Sequence, residues 1–323
     1  MIVLNKKTDE NFKILHVTDL HILPNEWKEG HEVRNSVIKT VNELVDRVKP
    51  DLITHGGDFS SAKYPECYTK FASFLDSFGI PWTTVWGNHD NDCGEKVTRD
   101  YAEQFMECKN FVYEHGPEAL GNGNFVIGIR QNGKIIHSLI MMDSHNRLEY
   151  TDNKGDTIKV YAKLTDEQLA WYGERMDELE KAGCKESTLM CHIPIYGFKY
   201  AFVKVYNYMY DYPKNIKYKD SIHGECWYEG YRNDAFGVRY EGECSYPEDD
   251  GVFRILKDYG STKLVVCGHD HVNCTCVKYD GITLLYGLKT GRGSYCDESL
   301  NGGSVIEIDG DGKTHVRHEF VEL

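Results

Sequence analysis

Short apolar runs alternate with longer helical patterns over the first third of the chain. Three runs have the length and composition of buried strands: Phe12–Thr18, Leu52–His55 and Trp82–Trp86. The segments that follow them carry apolar positions at helical spacing and predict helices: Arg34–Val48, Pro65–Phe78 and Lys96–Glu107. Pro50 and Gly79 stop the first two helices. Strands that alternate with helices in this way predict a parallel sheet.

The middle of the chain changes to an antiparallel signal. Asn132-Gly133 is a strong hairpin turn, and it separates the predicted strands Asn124–Ile129 and Lys134–Asp143. We expect these two strands to be antiparallel and to join the same sheet as the first three. Thr165-Asp166-Glu167-Gln168 is a capping box that opens a helix ending at Ala182.

The last part of the chain contains short strand patterns. We predict four of them: Thr275–Tyr279, Ile282–Tyr286, Ser304–Ile308 and His315–Phe320. They should complete a second, mostly antiparallel sheet. The pattern therefore predicts an α/β protein in which helices cover the outer faces of two packed sheets.

Composition indicates one large domain spanning residues 1–323. The apolar fraction of 41% is sufficient for a packed core, and no run approaches the length of a membrane helix. The segment 198–250 is different, because it is rich in tyrosine and weak in helix and strand signals. We interpret it as an insertion or flap, either a lid over a site or a segment that packs on itself.

Charge and cysteine content restrict the partners and the compartment. The net charge of −14 disfavours nucleic acid and anionic membranes, and it favours a small ester or a short peptide as the substrate. Eleven scattered cysteines predict a reduced, cytoplasmic protein, and the N-terminus lacks a signal-peptide pattern. The sequence does not indicate an oligomeric state.

Five polar blocks each follow an apolar run that predicts a strand, and these runs are Phe12–Val17, Leu52–Thr54, Thr83–Trp86, Thr188–Met190 and Leu264–Cys267. The blocks are Asp19-Leu20-His21, Gly57-Asp58, Gly87-Asn88-His89-Asp90, His192, and Gly268-His269-Asp270-His271. Parallel strands end at one edge of a sheet, so these blocks can converge on one site. Each block alone is an ordinary turn, cap or packed histidine. Together and in this order they predict a site for two divalent cations.

The residue types suggest how such a site is divided. Asp58 follows two glycines that allow close backbone approach, so we predict that its carboxylate bridges the ions. Asp19 and His21 are two residues apart and can face one ion, while Asn88 offers an oxygen to the other. His192, His269 and His271 supply imidazoles. Two cations in this arrangement clamp a phosphoryl group and generate a bridging hydroxide that attacks phosphorus.

Other residues near the blocks have secondary predictions. His89, next to Asn88, remains unligated and is expected to bind the phosphoryl oxygen or to protonate the leaving alcohol, with Asp90 or another carboxylate orienting it. Arg292, in a glycine-rich turn, is a candidate for holding a phosphate oxygen. Asp143-Ser144-His145 fits support of the site, or plain turn chemistry, better than ligation.

The five blocks, in their order, resemble the motifs of the calcineurin-like metallophosphoesterase superfamily: D-x-H, G-D, G-N-H-[D/E], a lone H and G-H-x-H. The segments Leu169–Tyr172 and Tyr286–Gly293 resemble the intracellular branch related to purple acid phosphatases. The resemblance covers Phe12 to about Tyr295. It implies a four-layer αββα sandwich, consistent with the element pattern.

The resemblance also implies how the ligands are shared. One ion would take Asp19, His21, Asp58 and His271, and the other would take Asp58, Asn88, His192 and His269. Ser61 stands where a purple acid phosphatase has its tyrosine, and His21 stands where such an enzyme has glycine. A purple iron–tyrosinate centre is therefore not expected. Manganese, iron, zinc, cobalt and nickel remain open.

These observations predict a metal-dependent phosphoric ester hydrolase. Hydrolysis of phosphomonoesters, small or on a phosphopeptide, is the first expectation. Phosphodiester hydrolysis on the same metal core is the nearest alternative. An alternative of another class is a non-catalytic metal-binding scaffold. Peptide or lactam hydrolysis fits the Asn88-His89 pair less well.

Overall fold

The computed structural model of the chain describes residues 1–203 and 235–323. The strands of this part are β1 (Ile2–Asn5), β2 (Phe12–Val17), β3 (Leu52–His55), β4 (Trp82–Thr84), β5 (Phe125–Gln131), β6 (Lys134–Met141), β7 (Arg147–Thr151), β8 (Thr157–Tyr161), β9 (Ser187–Met190), β10 (Thr262–Cys267), β11 (Cys276–Tyr279), β12 (Ile282–Tyr286), β13 (Gly302–Ile308) and β14 (Thr314–Phe320). Its helices are α1 (Glu32–Val48), α2 (Pro65–Asp76), α3 (Glu95–Met106), α4 (Asp166–Lys181), α5 (Gly197–Val203) and α6 (Val252–Tyr259).

Local signals at the ends of two helices account for where they start and stop. Lys49 adopts the left-handed conformation at the end of α1 and donates its backbone N–H to the carbonyl of Val45. Pro50 then prevents the helix from continuing. The predicted capping box at the start of α4 is present, with Thr165 Oγ1 accepting from the backbone N–H of Gln168.

The strands form two mixed sheets and a separate hairpin. One sheet has the order β1-β5-β6-β9-β10-β12-β11, and the other has the order β14-β13-β2-β3-β4. Among the described residues, strands β7 and β8 pair only with each other. The predicted α/β class, with two mixed sheets and covering helices, is confirmed.

Two predictions about sheet membership are wrong. The hairpin β5–β6 does not join β2, β3 and β4 but lies in the seven-stranded sheet. The last four strands form no sheet of their own: β11 and β12 belong to the seven-stranded sheet, and β13 and β14 extend the sheet of β2. Period-2 patterns identify strands and buried faces but contain no information about which sheet a strand joins.

Alternating residues of the central strands face two different cores. In β10, Leu264 and Val266 belong to the core shared with β2 and β3, while Val265 packs with the helices α4 and α6. This alternation is what a sheet buried on both faces requires. The arrangement is the predicted four-layer sandwich, in which helices enclose two stacked sheets.

The predicted flap at 198–250 lies partly outside the described residues, which omit 204–234 and most of its tyrosines. Its described ends are α5 and the segment 235–250. Strand β1, the hairpin β7–β8 and helix α6 were not predicted. None of the helices in the described ranges combines the length and the hydropathy that crossing a membrane requires.

Candidate metal centre

All five polar blocks follow strands that end on the same side of the molecule. Asp19 and His21 follow β2, Asp58 follows β3, and Asn88 follows β4. These three strands are parallel neighbours in the five-stranded sheet. The other two blocks follow β9 and β10, which are parallel neighbours in the seven-stranded sheet. The predicted ligands therefore meet between the ends of the two sheets.

The first cluster combines Asp19, His21 and His271. The Nε2 atoms of His21 and His271 lie 2.9 Å apart, and His271 Nε2 is 3.4 Å from Asp19 Oδ1. Their ligand atoms all lie within 4.8 Å of one another. This set of one carboxylate and two imidazoles suits a transition-metal cation.

The second cluster combines Asp58, Asn88, His192 and His269. His192 Nε2 lies 3.2 Å from Asp58 Oδ2, 3.2 Å from Asn88 Oδ1 and 3.2 Å from His269 Nδ1. All four side chains are buried. The structure thus brings together the seven residues that the sequence proposed as ligands, in two adjacent groups.

Asp58 is the residue that touches both clusters. Its Oδ2 lies 3.4 Å from His21 Nε2 and 3.2 Å from His192 Nε2. Its other oxygen, Oδ1, accepts a hydrogen bond from the backbone N–H of His89. One carboxylate oxygen therefore faces both groups, which is the geometry that a bridging ligand needs.

The backbone at the site is held in unusual conformations. Asp19, His21, Asp58 and His269 all have positive φ, at 58°, 47°, 59° and 77°. Left-handed conformations of non-glycine residues persist only where the surrounding structure imposes them, and they concentrate at functional sites. The buried Lys289 helps to hold the backbone of Asp19, because its Nζ–H donates to the carbonyl oxygen of Asp19.

Two glycines allow the carboxylates to approach closely. A Cβ atom on Gly87 would lie 2.1 Å from Asp58 Oδ1, and one on Gly268 would lie 2.5 Å from Asp19 Oδ2. Neither position has room for a side chain. The glycines of the G-N-H-D and G-H-D-H blocks are therefore required by the packing around the acidic ligands.

Hydrogen bonds from the far sides of two rings prepare them as ligands. His192 Nδ1 lies 2.7 Å from the carbonyl oxygen of Gly56, and His271 Nδ1 lies 2.9 Å from that of Tyr295. A carbonyl can only accept, so each Nδ1 carries the proton. Each Nε2 then points its lone pair into the site when the ring is neutral, as in metal-binding histidines.

Asp19 provides a test of whether the site fits a cation. Its Oδ2 accepts from Thr18 Oγ1 and from the backbone N–H of His269, but its buried Oδ1 has no hydrogen-bond partner in the part of the chain that the structure describes. A buried carboxylate oxygen without a partner is costly unless a cation compensates it. Because Oδ1 faces His271 and His21, the donor set fits a metal ion at this point.

The charges of most ligands suit cation binding. Burial alone would raise the pKa of Asp19 and Asp58, but the surrounding imidazoles lower both below the usual range. Burial lowers the pKa of His21 to about 4 and that of His269 to about 3, so both rings are neutral. His192 differs: burial opposes protonation, but Asp58 outweighs it and raises its pKa to about 10.

His89 lies at the rim of the site. Its ring is about half exposed and packs edge-on against His21, with ring centroids 5.3 Å apart. His89 Nδ1 lies 3.0 Å from Asp92 Oδ2. Burial lowers its pKa, but Asp58 and Asp92 outweigh that effect and raise it. Of the carboxylates that the sequence left open for orienting His89, Asp90 or another nearby one, Asp92 is the one in contact with the ring.

Asp90 instead joins two of the ligand blocks. Its buried carboxylate accepts from the backbone N–H groups of Asp58, Phe59 and Gly87 and from Tyr68 Oη. Burial and the neighbouring Asp58 raise its pKa to about 7, while the four donors oppose that rise. Asp90 is a positioning residue that ties the loop after β3 to the loop after β4.

Arg292, the candidate phosphate ligand, forms an ion pair with a neighbouring residue. Its Nε and Nη2 pair with the carboxylate of Glu298 at 2.7 and 2.9 Å, on an exposed turn. Its donors are thus engaged by a neighbour six residues along the chain. Ser144 fits the predicted supporting role, because its Oγ accepts from the backbone N–H of Ile193, next to His192.

Sequence reasoning missed several residues that contact the site. Lys289, Asp92 and Tyr161 touch Asp19, His89 and His269, respectively. Lys289 lies in the segment Tyr286–Gly293, whose resemblance to the branch related to purple acid phosphatases does not predict a contact with Asp19. Nothing in the local sequence distinguishes Asp92 or Tyr161 from surface residues.

Relatives share this architecture. A sequence model of calcineurin-like phosphoesterases matches residues 12–273. The chain is 27% identical over 327 residues to an Arabidopsis thaliana protein named Probable inactive purple acid phosphatase 14, covering 90% of this chain and 73% of the relative. It is 25% identical over 329 residues to Phosphatase DCR2 of Saccharomyces cerevisiae, covering 94% of this chain and 52% of that relative, about half its length.

Two solved structures are similar in fold. A dimetal phosphatase from Danio rerio superposes with a TM-score of 0.60 at 11% identity, covering 97% of this chain and 98% of that one. Purple acid phosphatase PPD1 from yellow lupin (Lupinus luteus) seeds gives 0.52 at 11% identity, covering 97% and 52%. Since the family match spans most of the chain, the protein belongs to the calcineurin-like phosphoesterase family.

Proposed function

We propose that this chain is a phosphoesterase that depends on two divalent metal ions and hydrolyses phosphomonoesters. The observation that carries the proposal is the position of Asp58 Oδ2, which faces a ligand group on each side. Two clusters that share one carboxylate oxygen describe a dinuclear site better than two independent ones.

The residues divide into two sets of ligands. Asp19, His21, Asp58 and His271 would hold one ion, and Asp58, Asn88, His192 and His269 would hold the other. Manganese, iron, zinc, cobalt and nickel all suit such ligands. Two bound cations would supply Lewis acidity toward the phosphoryl oxygens and a water acidic enough to attack phosphorus.

The protein's own contribution to the chemistry is a proton donor. His89 Nδ1 faces Asp92, so its Nε2 is the atom available to the substrate. Asp58 and Asp92 outweigh burial and raise the pKa of His89, which favours the protonated ring. The ring donates a hydrogen bond to the phosphoryl group or passes its proton from Nε2 to the leaving oxygen.

The substrate we propose is a small phosphoester or a phosphopeptide. The net charge of −14 repels nucleic acids at long range, whereas bound cations would attract a single phosphate locally. We also propose a cytoplasmic location, supported by the buried free thiols of Cys191, Cys267 and Cys276, which suit a reducing compartment.

A non-catalytic scaffold must be weighed, because the name of the Arabidopsis relative includes the word inactive. A scaffold needs ligands that hold metal but needs no proton donor at the rim. The half-exposed His89, oriented by Asp92, has the position of such a donor. This feature favours a catalyst.

The test is an assay of protein shown by elemental analysis to contain two metal ions. We expect manganese-loaded protein to hydrolyse an aryl phosphate monoester faster than the corresponding bis-aryl phosphate diester. Faster hydrolysis of the diester would replace the proposal with a phosphodiesterase. No hydrolysis of either compound by the two-metal protein would support the scaffold.

A further inference from the structure

The hairpin β7–β8 lies beside the metal centre. Tyr161, the last residue of β8, packs edge-on against the ring of His269, with centroids 4.3 Å apart and planes at 85°. Tyr161 is half-buried, so its ring covers one side of the second ligand cluster. A residue held on this ring is therefore close to whatever the cations bind.

Arg147, the first residue of β7, is held on Tyr161. Its Cζ lies 4.5 Å from the Tyr161 ring centroid, and its Nη2 donates to Tyr161 Oη at 3.0 Å. The face of an aromatic ring attracts a guanidinium, and the hydrogen bond to the Tyr161 hydroxyl fixes the orientation of the guanidinium. One aromatic ring thus separates an exposed cation from the metal ligand His269.

The residues before Arg147 are fixed by a network at the rim. The backbone N–H of His145 donates to Asp143 Oδ1, and its ring lies between Glu95 Oε1 and Gln168 Oε1, at 3.1 and 3.0 Å. Asn146 Nδ2 then donates to Asp92, the partner of His89. The segment 145–147 therefore runs from the proton donor to the second ligand cluster.

Arg147 also differs from the other cations near the centre. Lys289 donates to the carbonyl of Asp19, and Arg292 is paired with Glu298. Within residues 1–203 and 235–323, no carboxylate forms an ion pair with Arg147. In the same ranges, the guanidinium makes its hydrogen bond and its aromatic contact with Tyr161. A positioned cation with no acidic partner among the described residues is available for an anionic ligand, in a chain with 51 acidic and 37 basic residues.

We propose that Arg147 binds a second anionic group of the substrate, on the leaving-group side. This inference rests on the proposed function. The preferred substrates would be phosphomonoesters whose alcohol or phenol also carries a carboxylate or another phosphate. That group would lie near Tyr161, the ring between Arg147 and His269.

The test compares two probes that differ in one charge: 4-carboxyphenyl phosphate and 4-carbamoylphenyl phosphate. With manganese-loaded protein we expect a higher kcat/KM for the carboxylate probe. In Arg147→Gln the ratio of the two kcat/KM values should fall about tenfold, because a charge-assisted hydrogen bond is lost. Arg147→Lys should keep part of the preference, since it retains the charge without the fork.

Arg130→Gln is the matched control. It removes an exposed arginine of β5 that donates to Asn5, and it should leave the ratio of the two kcat/KM values unchanged. An unchanged ratio in Arg147→Gln, even with lower rates on both probes, would overturn the inference. Calorimetric measurement of the affinities for 4-carboxyphenyl and 4-carbamoylphenyl phosphonates tests the role of Arg147 separately from the proposed function. If two-metal protein hydrolyses neither phosphate, the proposed function fails, and the phosphonate affinity ratio of wild type and Arg147→Gln still decides the role of Arg147.

Discussion

Asp58 and His192 meet across the gap between the two sheets, with Asp58 Oδ2 3.2 Å from His192 Nε2. Asp58 follows a strand of the five-stranded sheet and His192 follows a strand of the seven-stranded sheet. The pair therefore depends on how the sheets stack, and through Asp58 it links the second ligand cluster to the first.

Replacing the shared carboxylate should remove metal. We expect Asp58→Asn to lose at least one of the two ions, because the amide keeps the shape but not the charge or the second acceptor. Elemental analysis after gel filtration measures the loss. Asp258→Asn, at an exposed position of α6, is the control. Retention of both ions in Asp58→Asn would contradict the bridging role.

His89 should matter for turnover and not for metal content. We expect His89→Ala to lower kcat by about 10²–10⁴-fold on a substrate with a poor leaving group, where proton donation is needed most. The fall in kcat should be smaller on a nitrophenyl phosphate, whose leaving group needs little proton donation. Asp92→Asn should lower kcat on both substrates by a smaller factor than His89→Ala. The exposed His315→Ala is the control. A full rate of His89→Ala on the poor leaving group would exclude the acid role.

Metal binding should release protons. Asp58 raises the pKa of His192 to about 10, so a cation that binds Nε2 at neutral pH displaces a proton from the ring. We expect the metal centre to release about one proton when it is filled. The affinity for manganese should rise with pH between about 6 and 9. Calorimetric titration of manganese into metal-stripped protein, in buffers of different ionisation enthalpy, counts the protons. Binding heats that do not depend on the buffer would contradict the prediction.

Asp90 should act through stability. Asp90→Ala leaves three buried N–H groups and Tyr68 Oη without their acceptor, so we expect the free energy of unfolding to fall by about 3 kcal/mol or more. Urea unfolding measures this, with the exposed Asp100→Ala as the control. If Asp90→Ala kept its stability and both ions but lost turnover, the catalytic role predicted from sequence would return.

A histidine far from the centre should make stability depend on pH. His137 is buried between the carbonyl of Gly312 and Thr188 Oγ1, and burial lowers its pKa to about 4. Its unfolded pKa is near 6.5, so the unfolded chain takes up the proton first. The stabilisation is complete above about pH 6.5 and is lost as the pH falls toward 4, by about 3 kcal/mol.

Urea unfolding between pH 7 and 4 tests this prediction. We expect the free energy of unfolding of His137→Gln to depend less steeply on pH than that of the wild type. Asn35→Gln, a non-titrating substitution at an exposed position of α1, should follow the wild-type slope. Parallel curves for wild type and His137→Gln would exclude His137 as a source of the pH dependence.

Much of the site could be predicted because its signals are local. Asp19, Asp58 and the Gly268–His271 block each lie within a few residues of an apolar strand. Parallel strand ends converge wherever a sheet forms. The capping box of α4 and the turn at Asn132-Gly133 are likewise local, since their hydrogen bonds and left-handed residues depend on nearby side chains.

The amino-acid sequence by itself determined which residues stand at the strand ends, and thereby the family and the candidate ligands. Only the tertiary structure decided which sheet each strand joins, that Asp92 contacts His89, and that Arg147 is held on Tyr161. Those outcomes depend on contacts between distant segments, whose geometry is set by sheet stacking and strand register. No pattern within a single segment encodes them.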